Sequence, residues 1–383
     1  MTRIISTIST VLLVLAGLMA VVPSAAAGQF KKPKYYQLKS GLPYQIISAD
    51  FNNDGNLDLA VATFDGYVAI LLGRGNGQFQ SPIYFPAGSA VALAAGDFNG
   101  DGNLDLAVVE YGGTGYSALG IFLGDGKGNF RKFAAYNLGI ESSSVAVADF
   151  DGDGILDLAV TNGFGSGKNG KEGSVMVFFG KGDGSFGRTA TYEIGGYPSM
   201  IAAGDLNGDH HTDLAVSLYE RSSVAIFLND GHGKLKHKYT YASGPGPTSI
   251  LIDNLGNGKP DLALSDHGGF DVAVLLGNGD GTFGKATLYS LRPLGSGDPV
   301  ALVTGDFRRE GSHDIAVAIS EGSDGGIAML YGNGDGSFKN PVIVAQGGAL
   351  GGLALGDFNK DGAPDLAVSS QDPLDVAVLI NTR

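Results

Sequence analysis

After the first thirty residues the chain breaks into short apolar runs separated by clusters of Gly, Asp and Asn, and no long stretch spaces its apolar positions as a helix would. One unit shows the grammar. "AVALAAGDF" (90–98) is small and apolar, "DLAVVEYG" follows an acidic loop, "ALGIFLG" is a third run, and "FRKFAAYNL" alternates polar with apolar. Between the third and fourth runs sits "GDGKGNF" (124–130), whose glycines permit the positive φ of a hairpin turn. The pattern predicts four antiparallel strands, the small ones innermost and the amphipathic ones outermost. Glycine fills 63 of 383 positions, which fits an all-β chain rich in turns and excludes a helix bundle.

The unit recurs. Aligning the first aspartate of each acidic loop gives Asp50, Asp97, Asp149, Asp205, Asp253, Asp306 and Asp357, a period of about fifty residues. The last unit stops at "DVAVLINTR", after its third strand, while the chain opens with "GQFKKPKYYQL" (28–38), which matches "GQFQSPIYF" (77–85) and "GSFKNPVIV" (336–344). The two truncations complement each other. They predict a seven-bladed β-propeller of four-stranded antiparallel blades, closed by residues 28–40 completing the last blade and leaving no raw sheet edge.

The loops carry the candidate chemistry. In "DFNNDGNLD" oxygen-bearing side chains fall at positions one, three, five and nine, with a glycine for the sharp turn at position six. Several carboxylates, oxygen-only donors and no cysteine suit calcium rather than zinc or copper. This ligand order follows the first nine positions of an EF-hand loop, without its glutamate at position twelve or its flanking helices. The expected ligands are Asp50, Asn52, Asp54 and Asp58; Asp97, Asn99, Asp101 and Asp105; Asp149, Asp151, Asp153 and Asp157; Asp205, Asn207, Asp209 and Asp213; and Asp357, Asn359, Asp361 and Asp365. The fourth loop has His210 in place of the glycine. Two loops depart further: Leu255 stands at position three of the fifth, and Arg308 at position three of the sixth, with Glu310 at position five. About five calcium sites are expected, with the Arg308 guanidinium taking the cation's place in the sixth loop.

Residues 1–27 read as a secretory signal peptide: Arg3, an apolar stretch over 11–22, and small residues at Ala25 and Ala27 before the cleavage point. The absence of cysteine rules out both a disulfide framework and a lipoprotein anchor. A formal net charge of −14 argues against nucleic acid or an anionic membrane as partner.

The "DxNxDGxxDLAV" loops and the turns "GRGNGQF", "GDGKGNF", "GKGDGSF", "GNGDGTF" and "GNGDGSF" resemble the FG-GAP repeat, also described as the VCBS-type repeat of secreted bacterial proteins and related to the head propeller of integrin α subunits. The fourth turn, "NDGHGKL", has Leu235 where the family has phenylalanine. The resemblance implies a calcium-stabilised extracellular propeller with a binding, adhesion or lectin role.

Strand order sets the acidic loops and glycine turns on one face and the other connections on the opposite one. Recognition is expected there, using Tyr111, Tyr116, Phe164, Arg221, Phe270 and Arg292 and the loops 162–174 and 291–299. A non-catalytic binding or adhesion module for a protein or cell-surface partner fits best, and a carbohydrate-binding lectin is the alternative, although tryptophan is absent. An enzyme is the weakest reading, because His210 and His211 lie together in an acidic loop, the other four histidines are scattered, and no nucleophile motif, zinc spacing or phosphate-cradling loop is present. "KGD" (181–183) sits in a glycine turn and is not read as an adhesion tripeptide.

Overall fold

The structure, a computed structural model, describes residues 20–21, 29–112, 116–164, 173–321 and 325–383, with no account of the side chains of 20, 21 and 164. The expected signal peptide therefore lies almost wholly outside the described residues, as do Phe164 as a side chain and most of the 162–174 loop. Among the described residues there is no α-helix, only strands and short 3-10 turns. None of the described helices is long and apolar enough to cross a membrane.

The strands pair antiparallel into one seven-stranded, one five-stranded and four four-stranded sheets. Pro43–Ala49, Asp58–Thr63, Tyr67–Leu71 and Ile83–Pro86 form one such unit in chain order. The gradient expected from sequence is present. Second strands such as Asp58–Thr63 and Asp213–Leu218 are buried along their whole length, covered on both faces by neighbouring sheets, and so read as continuous apolar runs. Outer strands such as Phe186–Glu193 alternate exposed with half-buried positions.

The first strands of the units touch in sequence: Pro43–Ala49, Ser89–Gly96, Phe130–Ala148, Pro198–Gly204, Pro247–Asp253, Asp298–Gly305 and Ala349–Gly356, which returns to touch Pro43–Ala49. Crowding there favours small side chains, and hydroxyls stitch one strand to the next. Ser143 Oγ donates to Ser199 O (2.7 Å), Ser199 Oγ to Pro247 O (2.7 Å) and Thr248 Oγ1 to Pro299 O (2.8 Å).

The chain's two ends meet. Lys34–Gln37 pairs antiparallel with Leu374–Leu379 as the fourth strand of the last sheet, and Phe30 bridges Asn381. In five turns a glycine donates its N–H to the carbonyl at position two of the preceding acidic loop: Gly77 to Phe358, Gly128 to Phe51, Gly184 to Phe98, Gly233 to Phe150 and Gly281 to Leu206. Among the described residues, the carbonyl of Phe307 takes two side-chain amides, Gln29 Nε2 and Asn381 Nδ2, each at 2.9 Å.

Two features depart from the sequence reading. The outer strand of the second unit and the inner strand of the third are one strand, Phe130–Ala148, which pairs with Tyr116–Gly124 on one side and Asp157–Phe164 on the other. The run holds no proline and bends at Gly139 (φ 104°) and Glu141 (φ 55°) rather than breaking into a loop. In addition, Ala20–Val21 pairs with the edge strand Val342–Gln346, which gives that sheet its fifth strand.

Candidate functional site

Each intact acidic loop is organised by its first carboxylate. Asp50 accepts backbone N–H groups from Asp54 (3.2 Å) and Gly55 (2.7 Å), and Asp97 accepts from Gly100, Asp101 and Gly102. Position six requires a left-handed residue so that its N–H points inward: Gly55 has φ 79°, and in the fourth loop His210 adopts φ 68° and still donates to Asp205 (2.9 Å). Burial alone would raise the Asp205 carboxyl. The N–H groups of His210, Gly208 and Asn207 outweigh it and hold the group below its usual range.

The ninth aspartates behave differently. Asp58, Asp105, Asp157, Asp213 and Asp365 are fully or almost fully buried. In each, one oxygen accepts the N–H at position two and the other an N–H at or just past the end of the third strand, as Asp58 does from Phe51 (2.9 Å) and Gly73 (2.6 Å). Burial, helped by the carboxylates at positions five and one (three and one for Asp157), pushes the first four up to about 6 and Asp365 up to about 7, against the pull of those N–H groups. These residues tie the loop to the sheet, and each oxygen keeps a second lone pair.

Position three separates the loops. Where it is asparagine, the amide Nδ2 donates to the carboxylate at position five: Asn52 to Asp54 (3.1 Å), Asn99 to Asp101 (3.1 Å), Asn207 to Asp209 (2.9 Å) and Asn359 to Asp361 (2.8 Å). In the third loop it is Asp151, and Asp149, Asp151 and Asp153 each bring an oxygen within 4.8 Å of the others. Asp151 Oδ1 is buried without a hydrogen-bond partner, while its Oδ2 takes Arg188 Nη2 at 2.9 Å. Three converging carboxylates with one orphaned oxygen are a donor set that fits a hard divalent cation.

In the sixth loop Arg308, 8% exposed, sits where the sequence reading put it. Its guanidinium meets Asp314 Oδ1 (2.9 Å), Glu310 Oε2 (2.7 Å) and Gly332 O (2.6 Å). The fifth loop needs a correction. Sequence alignment set Asp253 at position one, but Asp253 pairs with Asp261 in register, as Ala49 does with Asp58, and so ends the strand. Asn254 holds position one, accepting N–H groups from Gly256 and Gly258, and Leu255 is the buried counterpart of Phe51 rather than a failed ligand. The loop is one residue short. Asp253 instead accepts from Thr304 and pairs with His313 Nδ1 (2.6 Å).

On the opposite face the inner strands enclose an axial cavity of about 680 Å³. Tyr111 lines it, while Tyr116 is exposed nearby. Phe270 lies under the Arg292 guanidinium (4.7 Å), and Arg221 packs against the bare backbone at Gly195 and Gly196. The sequence reading did not pick out Tyr44, Phe64, Glu141 or Tyr197, which also line the cavity. Nothing local in the chain marks them, because they converge from separate units.

The FG-GAP-like repeat model matches residues 50–108, 253–317 and 311–368, and the FG-GAP repeat model matches 142–178. Integrin alpha-V of Gallus gallus is 29% identical over 271 residues, covering 65% of this chain, which spans only 22% of the integrin's length. Among solved structures, BBS1N in complex with ARL6DN superposes with a TM-score of 0.60 at 16% identity, over 91% of this chain and 97% of that one. An Agrocybe aegerita lectin that recognises non-reducing terminal N-acetylglucosamine gives 0.55 at 18% identity, over 86% and 87%. These structural likenesses speak to the propeller-like fold. With its acidic loops and glycine turns matched along the chain, the protein belongs to the FG-GAP repeat family.

Proposed function

We propose that the protein is a secreted, calcium-stabilised binding module without catalytic activity: a single seven-bladed propeller over residues 28–383, closed by its N-terminal strand after a signal peptide is removed near Ala27. The observation that carries the calcium reading is the third loop, where Asp149, Asp151 and Asp153 converge with an orphaned buried oxygen. The equivalent residues of the first, second, fourth and seventh loops complete about five sites. In those four the asparagine amide must turn its oxygen inward as the ion enters. Bound calcium fixes the turn after each innermost strand and stabilises the folded state by mass action.

Recognition belongs to the face opposite the loops, with a protein or cell-surface group as partner and neither nucleic acid nor a membrane span involved. Carbohydrate binding is the second reading, favoured by the row of tyrosines at the axial cavity and by the fold shared with a lectin. Thermal unfolding with calcium and with excess chelator tests the scaffold. At free calcium a hundredfold above Kd, each stabilising site contributes about 2.7 kcal/mol. Unfolding that ignores the chelator sinks the calcium reading, as would metal analysis that finds none.

A further inference from the structure

The axial cavity holds a combination that its scaffold role does not explain. Glu141 lines it at the bend of the shared strand Phe130–Ala148, with φ 55°. A side chain in the left-handed region is strained, and glycine would relieve that strain. Seven described residues other than glycine adopt positive φ, and of these Glu141 alone lines the cavity, which points to a use for its carboxylate there.

Its surroundings say which use. Among the described residues lining the cavity, Glu141 is the one charged side chain. No described residue gives it a hydrogen bond or an ion pair, and it is only half-buried. Beside it runs a wall of rings. Tyr44 and Phe64 have centroids 5.6 Å apart and Phe64 and Tyr111 5.9 Å, and Tyr197 lines the same cavity. Gly163 makes room for the last of these, since a Cβ there would lie 2.7 Å from the Tyr197 ring and 3.2 Å from Glu141 Cβ. Burial first, then the nearby Glu141 and Tyr111, raises the Tyr197 phenol, which keeps it a neutral ring at working pH.

We propose that this cavity binds an organic ammonium cation, with the charge beside the Glu141 carboxylate and the alkyl groups against the faces of Tyr111, Tyr197, Phe64 and Tyr44. Ring quadrupoles attract such a cation, and a carboxylate in the same partly desolvated site adds to that attraction. An anion would meet only repulsion. A neutral sugar would leave the Glu141 charge unmatched, and the hydroxyls of Ser143, Ser199 and Thr248 are spent on neighbouring carbonyls, which leaves it donors such as the Tyr44 and Tyr111 hydroxyls and the Gln45 amide. The cavity volume suits a small molecule. This assignment rests on the proposed use of the face opposite the acidic loops and names the ligand class for it.

The test is calorimetric titration of the calcium-loaded mature protein with choline and with its uncharged isostere, in which carbon replaces nitrogen. Choline is expected to bind saturably and about tenfold more tightly than the isostere. Glu141→Gln should remove most of that difference and leave the isostere unchanged. Glu141→Gly should lose choline binding while raising the melting temperature, which separates loss of the site from loss of the fold. Equal binding of the two probes, no saturation by choline, or unchanged choline affinity in Glu141→Gln would overturn the inference. Chelation read by melting temperature is independent of these outcomes, so the scaffold reading stands or falls separately.

Discussion

The third and sixth acidic loops start from the same difficulty and resolve it in opposite ways. Both set carboxylates at the turn after an innermost strand. In the third, Asp149, Asp151 and Asp153 converge with Arg188 reaching only one oxygen, and the proposed calcium ion would answer the rest of the cluster. In the sixth, Arg308 brings a covalently attached cation to Glu310 and Asp314. The guanidinium reproduces the charge and several of the contacts, but its planar fork is tied to the chain and cannot leave. A loop of the first kind responds to its surroundings, and a loop of the second kind is permanently set.

The largest expected effect comes from removing the tethered cation. Arg308→Met leaves the fully buried Asp314 carboxylate unpaired and should cost about 3–5 kcal/mol in urea unfolding, by the same amount with calcium or with chelator. A loss below about 1 kcal/mol would mean that the contrast between the loops is not energetic.

A third way of handling a buried carboxylate, by protonation, sharpens the contrast. Asp266 has no cation at all: it is buried, accepts one N–H from Gly244, faces Asp271 and leaves Oδ1 without a partner. Burial raises it to about 7. Because the folded value lies above the unfolded one, its contribution is fully present below about pH 4 and is lost as pH rises through about 7. Asp266→Asn should therefore gain on the order of 2 kcal/mol at pH 8 and almost nothing at pH 4, read from unfolding at the two pH values. A gain that does not depend on pH would show that the proton is not the device.

The smallest effect converts the third loop into its neighbours. Asp151→Asn should let the amide donate to Asp153 as Asn52 does to Asp54. Stability in chelator should rise by about 1 kcal/mol and the increment from calcium should shrink. If chelator stability falls instead, the convergent aspartates are not under repulsion.

The loops were legible in the sequence because their chemistry is local. Alternate side chains in a tight turn point to one centre, and Arg308 among carboxylates announces an ion pair. The fifth loop was misread for an equally local reason. With one residue missing, Leu255 was matched to a ligand position, and only the strand register, with Asp253 opposite Asp261, shows that it fills the apolar slot. The continuous strand Phe130–Ala148 escaped because a bend built from one glycine and one strained glutamate has no turn signature. The axial cavity escaped because it is a property of the ring: Tyr44, Tyr111, Glu141 and Tyr197 are far apart in the chain and carry no shared spacing.

The clasp between five of the glycine turns and the preceding loops bears on how such a chain can change over generations. A turn holds its neighbour through a backbone N–H and a carbonyl, groups that substitution of side chains cannot remove. The fifth loop has lost a residue and the sixth has exchanged a ligand position for arginine, and the sheets on either side are still in place. Individual acidic loops thus vary while the sheets around them persist. At the seam the carbonyl of Phe307 is also held by two side chains, the amides of Gln29 and Asn381. Those two amides are where mutational tolerance should be narrowest.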